Sequence, residues 1–180
     1  MTPKEFISLV DFHHEGESIT YLKKAIKSEY AEQFRDAIKD VVYRAWSLNF
    51  SQMQRLGAGE TIRLKARRSV ISYSWTKIGA ERVTWGEEYP GSNGTAITKL
   101  KLANPNDILL NMYQFAKQGE KIFGEEIINK QGIIAEQEVI LPANEYYLTI
   151  DPKNIVFSKP AFDANSAQYS DGSRGNYKPY

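Results

Sequence analysis

Two glutamates separated by one residue, in Ala135-Glu136-Gln137-Glu138-Val139-Ile140-Leu141-Pro142, have the spacing that chemistry needs. The aliphatic run behind them reads as a strand over 136–141, and alternate residues of a strand share a face. Glu136 and Glu138 then stand side by side, Cα atoms about 6.5–7 Å apart, with Gln137 directed away. Like charges so placed repel unless a cation or ligand lies between them, and a solvated strand face is the plainer alternative. Ser72 and Ser74 likewise share a face of a strand over 69–75, just ahead of a helix cap at Thr76. Hydroxyls there can orient a carboxylate or meet a ligand, although Ser-x-Ser is common in strands. Arg44 lies inside the apolar run Val41-Val42-Tyr43-Arg44-Ala45-Trp46. A guanidinium in such surroundings needs a partner, an acid on a neighbouring strand being the ordinary one.

In chain order, Tyr43-Arg44, Ser72-Tyr73-Ser74 before a helix, and Glu136-Gln137-Glu138 leading a strand resemble the mono-ADP-ribosyltransferases of the Arg–Ser–Glu class. The likeness is closest to the small enzymes that T-even-type phages use on bacterial hosts. These carry similar Ser-x-Ser-aromatic and Glu-Gln-Glu-Val-hydrophobic-Pro segments. It covers roughly residues 41–150 and leaves out 1–40 and the C-terminal tail. That family usually has glycine after the strand arginine, where this chain has Ala45.

The resemblance implies an ADP-ribosyltransferase-like fold, NAD as substrate without a metal, and transfer of ADP-ribose to an arginine of a bacterial protein. By the same likeness Glu138 bonds the ribose 2′-hydroxyl and stabilises an oxocarbenium-like ribose as nicotinamide leaves. Glu136 faces the acceptor, where a carboxylate can orient a guanidinium and take its proton. Arg44 holds the pyrophosphate or adjoining ribose, and the backbone of Ala45 grips the nicotinamide amide. Ser72, with Ser74 in support, orients Glu138, and Tyr73 or Trp75 supplies an aromatic wall. Residues 129–135 become a target-recognition loop with Ile133 and Ile134 as exposed contacts, or as ordinary core at a strand start. The same pocket with water as acceptor would be an NAD glycohydrolase. With RNA or another nucleic acid as acceptor, the basic group Arg63, Lys65, Arg67 and Arg68 would dock it. The non-enzymatic alternative is a phage interaction protein in which Glu-x-Glu is accidental.

The elements that must position these residues follow from periodicity. Residues 1–17 read as an irregular lead-in to a helical N-terminal part within 1–40. Ser18 caps a helix with Ile19, Leu22, Ile26, Tyr30, Phe34, Ile38 and Val41 on one face. Strands are expected over 41–46, 60–66, 69–75, 95–102, 136–141, 146–150 and 154–158. Helices are expected over 49–56 and from Thr76 to about 87, with 108–117 and 121–131 open between helix and another state. This makes an α+β fold of two small, mostly antiparallel packed sheets, a single domain over 1–163, and a flexible tail over 164–180.

Composition bounds the rest. At 180 residues and 42% apolar content the chain can bury a sizeable core. Twenty-three basic against 22 acidic side chains leave +1, which argues against a general polyanion binder. The absence of cysteine excludes disulfides, a thiol nucleophile and Cys-ligated zinc. His13-His14 diverge and lack further soft ligands, so no metal is expected there. No secretory signal or membrane span is visible, and a bacterial-cytoplasmic setting is the expectation.

Overall fold

The computed structural model describes residues 1–14, 19–65, 70–85, 93–102, 104–143 and 147–159. The chain begins with a helix, α1 (Pro3–His14), where the sequence suggested an irregular lead-in. Its start is a reciprocal cap. The Thr2 N–H donates to Glu5 Oε2 at 2.7 Å, and the Glu5 N–H donates to Thr2 Oγ1 at 3.2 Å. Pro3 fits the first helical position, where no backbone donor is needed. Phe6, Ile7, Leu9 and Val10 form the buried stripe.

The single long helix expected from residue 18 to 41 is two short ones, α2 (Ile19–Ile26) and α3 (Glu29–Glu32). Ser28 divides them: its backbone is extended, and its hydroxyl donates to the Ala25 carbonyl at 2.7 Å. The expected cap at Ser18 lies outside the described residues, as does the tail over 164–180.

Strand β1 (Val41–Asn49) is longer than its apolar run and leads into α4 (Phe50–Gly57) through a capping box of Asn49 and Gln52. β2 (Ile62–Lys65) and β3 (Val70–Ser74) follow. Next come α5 (Lys77–Trp85), whose Gly79 N–H is capped by Thr76 Oγ1, and β4 (Asn93–Lys101). The ambiguous segment after residue 108 resolves into a two-residue strand, β5 (Leu110–Asn111), and α6 (Met112–Phe123). A short helix, α7 (Lys130–Glu136), precedes β6 (Glu138–Pro142), β7 (Tyr147–Ile150) and β8 (Ile155–Lys159).

The architecture is mixed α+β. Six strands form one antiparallel sheet in the order β5-β6-β3-β1-β4-β8, and β2 and β7 form a separate antiparallel pair. β1 pairs with β4 over its full length, but it meets β3 at one residue pair, Tyr43 opposite Ser74. The large sheet is therefore two three-stranded halves joined at a seam.

Three apolar clusters hold these layers. α1, α2, α6 and α7 pack through Phe6, Leu22, Phe115 and Ile133 on Val70, Leu110 and Ile140 of the β5-β6-β3 half. Trp46, Leu48 and Ala96 of the other half pack on Leu56, Ile62 and Ile150, which brings the β2-β7 pair over β1 and β4. Val42, Trp75, Leu102, Ile108 and Val139 fill the space between.

Candidate active site

Register places the candidate residues. Ser74 lies directly opposite Glu138, and Ser72 opposite Ile140, so Ser72, Ser74 and Glu138 share one face of the β3-β6 ladder. That face carries the cluster made with α1, α6 and α7, because Ile140 belongs to it. Glu138 is 7% exposed, the first residue of its strand, and buried at the point where helix gives way to sheet.

Arg44 lies across the seam, on β1. Its neighbour Tyr43 faces with Ser74, so Arg44 alternates to the opposite side, with Trp46 and Tyr73. The guanidinium carbon sits 4.7 Å from the Trp46 ring centre and 5.6 Å from that of Tyr73. Its Nη1 donates to the Ser72 carbonyl oxygen across the gap that the β1–β3 ladder leaves open. Trp46 is fixed in turn by its indole N–H, which donates to Thr98 Oγ1 at 2.8 Å. Ala45 follows Arg44 on β1 beyond the single β1–β3 pair, half-buried and paired on its other side with Ile97. Arg44, Ala45, Ser72, Tyr73, Ser74 and Glu138 thus border one seam, Ser72, Ser74 and Glu138 on one face of the sheet and Arg44 and Tyr73 on the other, although they come from three separate stretches.

Three expectations need correction. Glu136 and Glu138 are not alternate residues of one strand. Glu136 ends α7, and Gln137 is left-handed at φ 50°, ψ 44°, with its N–H closing the helix on the Ile133 carbonyl at 3.0 Å. A turn of that kind redirects the chain between the two carboxylates, so strand alternation no longer puts them on one face. Second, residues 129–135 are not a loop. Lys130 onward is helical, and Ile133 is fully buried in the core, which leaves Ile134 only partly so. Third, Trp75 is fully buried, with its indole N–H donating to Asn111 Oδ1 at 3.0 Å. It packs the core between the halves, and of the two aromatic candidates Tyr73 is the half-exposed one.

Ser74 also differs from its expected part. Its hydroxyl donates to the Glu136 carbonyl at 2.7 Å and accepts the Thr76 N–H at 3.2 Å. A hydroxyl carries one proton, so Ser74 ties β3 to the end of α7 rather than steering the Glu138 carboxylate. α5 closes over this junction. A Cβ at Gly79 would lie 2.2 Å from Ser74 Oγ and 2.3 Å from the Glu136 carbonyl oxygen.

Residues outside the three motifs also converge. Both carboxylate oxygens of Asp11 accept backbone N–H groups at the start of α7, from Ile128 at 3.1 Å and Asn129 at 3.3 Å. His13 Nε2 lies 3.7 Å from Glu138 Oε1. The Thr2-Pro3-x-Glu5 cap followed by spaced apolar residues is the sequence signal that announces the helix carrying both.

Among the described residues no group of three or more His, Cys, Asp or Glu could hold a metal ion, and no helix is long and apolar enough to cross a membrane. Of the basic group, Arg63 is exposed on the outer face of β2, and Arg67 and Arg68 lie outside the described residues. Comparison with protein-family models, curated proteins and solved structures finds no match.

Proposed function

We propose that the chain is an NAD-dependent mono-ADP-ribosyltransferase that modifies an arginine side chain, with a bacterial protein as acceptor. The observation that carries this reading is the meeting of Arg44, Ser72 and Glu138 along one seam, with Arg44 on one face bonded to the Ser72 backbone and Glu138 one ladder step from Ser72 on the other. A buried carboxylate on one face of the seam and a guanidinium on the other suit a substrate, threaded through the gap, that carries both negative phosphates and a carbon on which positive charge develops.

NAD supplies that carbon, the ribose position that loses nicotinamide. Glu138 presents fixed negative charge in a site largely shielded from water, where it acts more strongly than it would in solvent. Arg44 offers a planar fork suited to phosphate oxygens. Glu136, on a separate element from Glu138, orients the acceptor guanidinium and receives its proton as the new C–N bond forms.

Incubation of the purified protein with labelled NAD and a bacterial lysate tests the reading. Label should pass to protein bands that resist nuclease treatment. Glu138→Gln should abolish both transfer and NAD cleavage, whereas Glu136→Gln should lower transfer while cleavage persists. A Glu138→Gln protein that labels as well as wild type overturns the assignment. Label in a nuclease-sensitive species would move the acceptor to nucleic acid.

A further inference from the structure

The structure assigns the N-terminal helix α1 to the active site, with His13 as a positioning residue for Glu138; this deepens the reading above and rests on it. The His13 and Glu138 side chains are 14% and 9% exposed, with Nε2 and Oε1 3.7 Å apart. Ser74, directly opposite Glu138, has committed its proton to the Glu136 carbonyl. The imidazole of α1, rather than the β3 hydroxyl, therefore stands beside the carboxylate oxygen Oε1.

The placement of α1 is not loose. Asp11 grips the two residues just ahead of α7, and Phe6 and Val10 are fully buried in the cluster that includes Ile133 of that helix and Ile140 of β6. α1 thus touches the α7–β6 segment before and after the turn at Gln137: at its start through Asp11, and beyond its end through His13.

The imidazole itself points the same way. His13 Nδ1 is buried without a hydrogen-bond partner among the described residues. A side chain kept there only to fill space would do better with no buried nitrogen to satisfy. With Nδ1 unbonded, the polar contact on the Nε2 side sets the ring. At 3.7 Å, His13 Nε2 is too far for a hydrogen bond but close enough to Oε1 to favour one rotamer of Glu138 and so one direction for its charge. His13 touches neither substrate nor reacting atoms.

Two full-length variants separate this role from packing. His13→Leu fills the volume without a donor, and His13→Gln restores an amide N–H near the position of Nε2. With both folded at wild-type melting temperature, His13→Leu should lower kcat for NAD cleavage by roughly two- to tenfold, less than a full hydrogen bond to a charged group is worth. KM for NAD should hardly move, and His13→Gln should recover most of kcat. Equal kcat in the two variants, whether slow or normal, overturns the inference. A readout free of activity is the imidazole ¹⁵N spectrum of the whole protein. The His13 Nε2 resonance should move in Glu138→Gln, and an unmoved resonance also overturns the inference. Wild-type protein that cleaves no NAD sinks the proposed function, and the role of His13 with it, while the spectrum still decides whether the contact exists.

Discussion

Arg44 shows how a single side chain can be committed on several sides. Trp46 and Tyr73 take its faces, and the Ser72 carbonyl takes one of its N–H groups. A lysine keeps the charge but loses the planar fork and the stacking. Arg44→Lys is therefore expected to raise KM for NAD more than it lowers kcat, and to lower the melting temperature through the lost tie to β3. A fall in kcat alone, measured on the purified protein, would place Arg44 elsewhere in the mechanism.

Gln137 is a second decisive residue, the described non-glycine with positive φ. Gln137 already bears the penalty, about 1–2 kcal/mol, of a left-handed backbone with a side chain, so glycine there should leave the urea midpoint unchanged or higher, whereas β-branched valine should lower it further. At this scale much was legible in advance. The types and order of Arg44, Ser72, Ser74 and Glu138 could be read directly, because buried charge and paired hydroxyls are conspicuous in apolar runs. The turn between Glu136 and Glu138 could not be read, because Gln carries no signal for the left-handed conformation as Gly or Asn does.

Elements were legible where local chemistry dominates and illegible where a distant contact decides. The glycines closing a short helix over 49–56 announced α4, and the β-branched content of residues 95–102 announced β4. α7 gave no such warning. It is seven residues long with a glycine inside, too short to persist on propensity alone. Distant groups hold it: Asp11 caps its start, and Glu120 bonds the Lys130 ammonium and accepts the Ile127 N–H at 3.2 Å.

The Lys130 ammonium, and next the Ile127 N–H, hold the Glu120 carboxyl below the usual carboxylate range. A carboxyl with a lower pKa folded than unfolded stabilises the fold at neutral pH. It loses that contribution as pH falls through the folded-state value. The drop in melting temperature between neutral pH and about pH 3 should accordingly be smaller in Glu120→Gln than in wild type. The approach of α5 gives a sharper test. Gly79→Ala forces a methyl against Ser74 Oγ and the Glu136 carbonyl, and should cost about 1–3 kcal/mol in urea unfolding. Because the clash falls on the β3–α7 junction, NAD cleavage should fall with it.

In the whole molecule, a mixed α+β class and antiparallel pairing could be foreseen from strand and helix patterning. The role of the first forty residues could not. Phe6 lies among Tyr30, Phe34, Phe115 and Phe123, with ring centres 5.6–6.4 Å apart, drawn from α1, α3, α6 and the chain after α3. Phe115 and Phe123 lie more than a hundred residues from Phe6 in sequence, so no local window reveals the cluster. Phe6→Ala should lower unfolding free energy by about 3–5 kcal/mol, read as a shifted urea midpoint. A smaller loss would mean that α1 is an appendage rather than part of the core.

The seam, finally, makes β1 and β3 the easiest pair of neighbouring strands to prise apart, since Tyr43 and Ser74 are their single rung. A molecule wedged there would act as a rivet for the entire sheet. Deuterium uptake over Tyr43–Trp46 and Ser72–Ser74 should then slow on adding substrate, while the distant end of β4 keeps its pace.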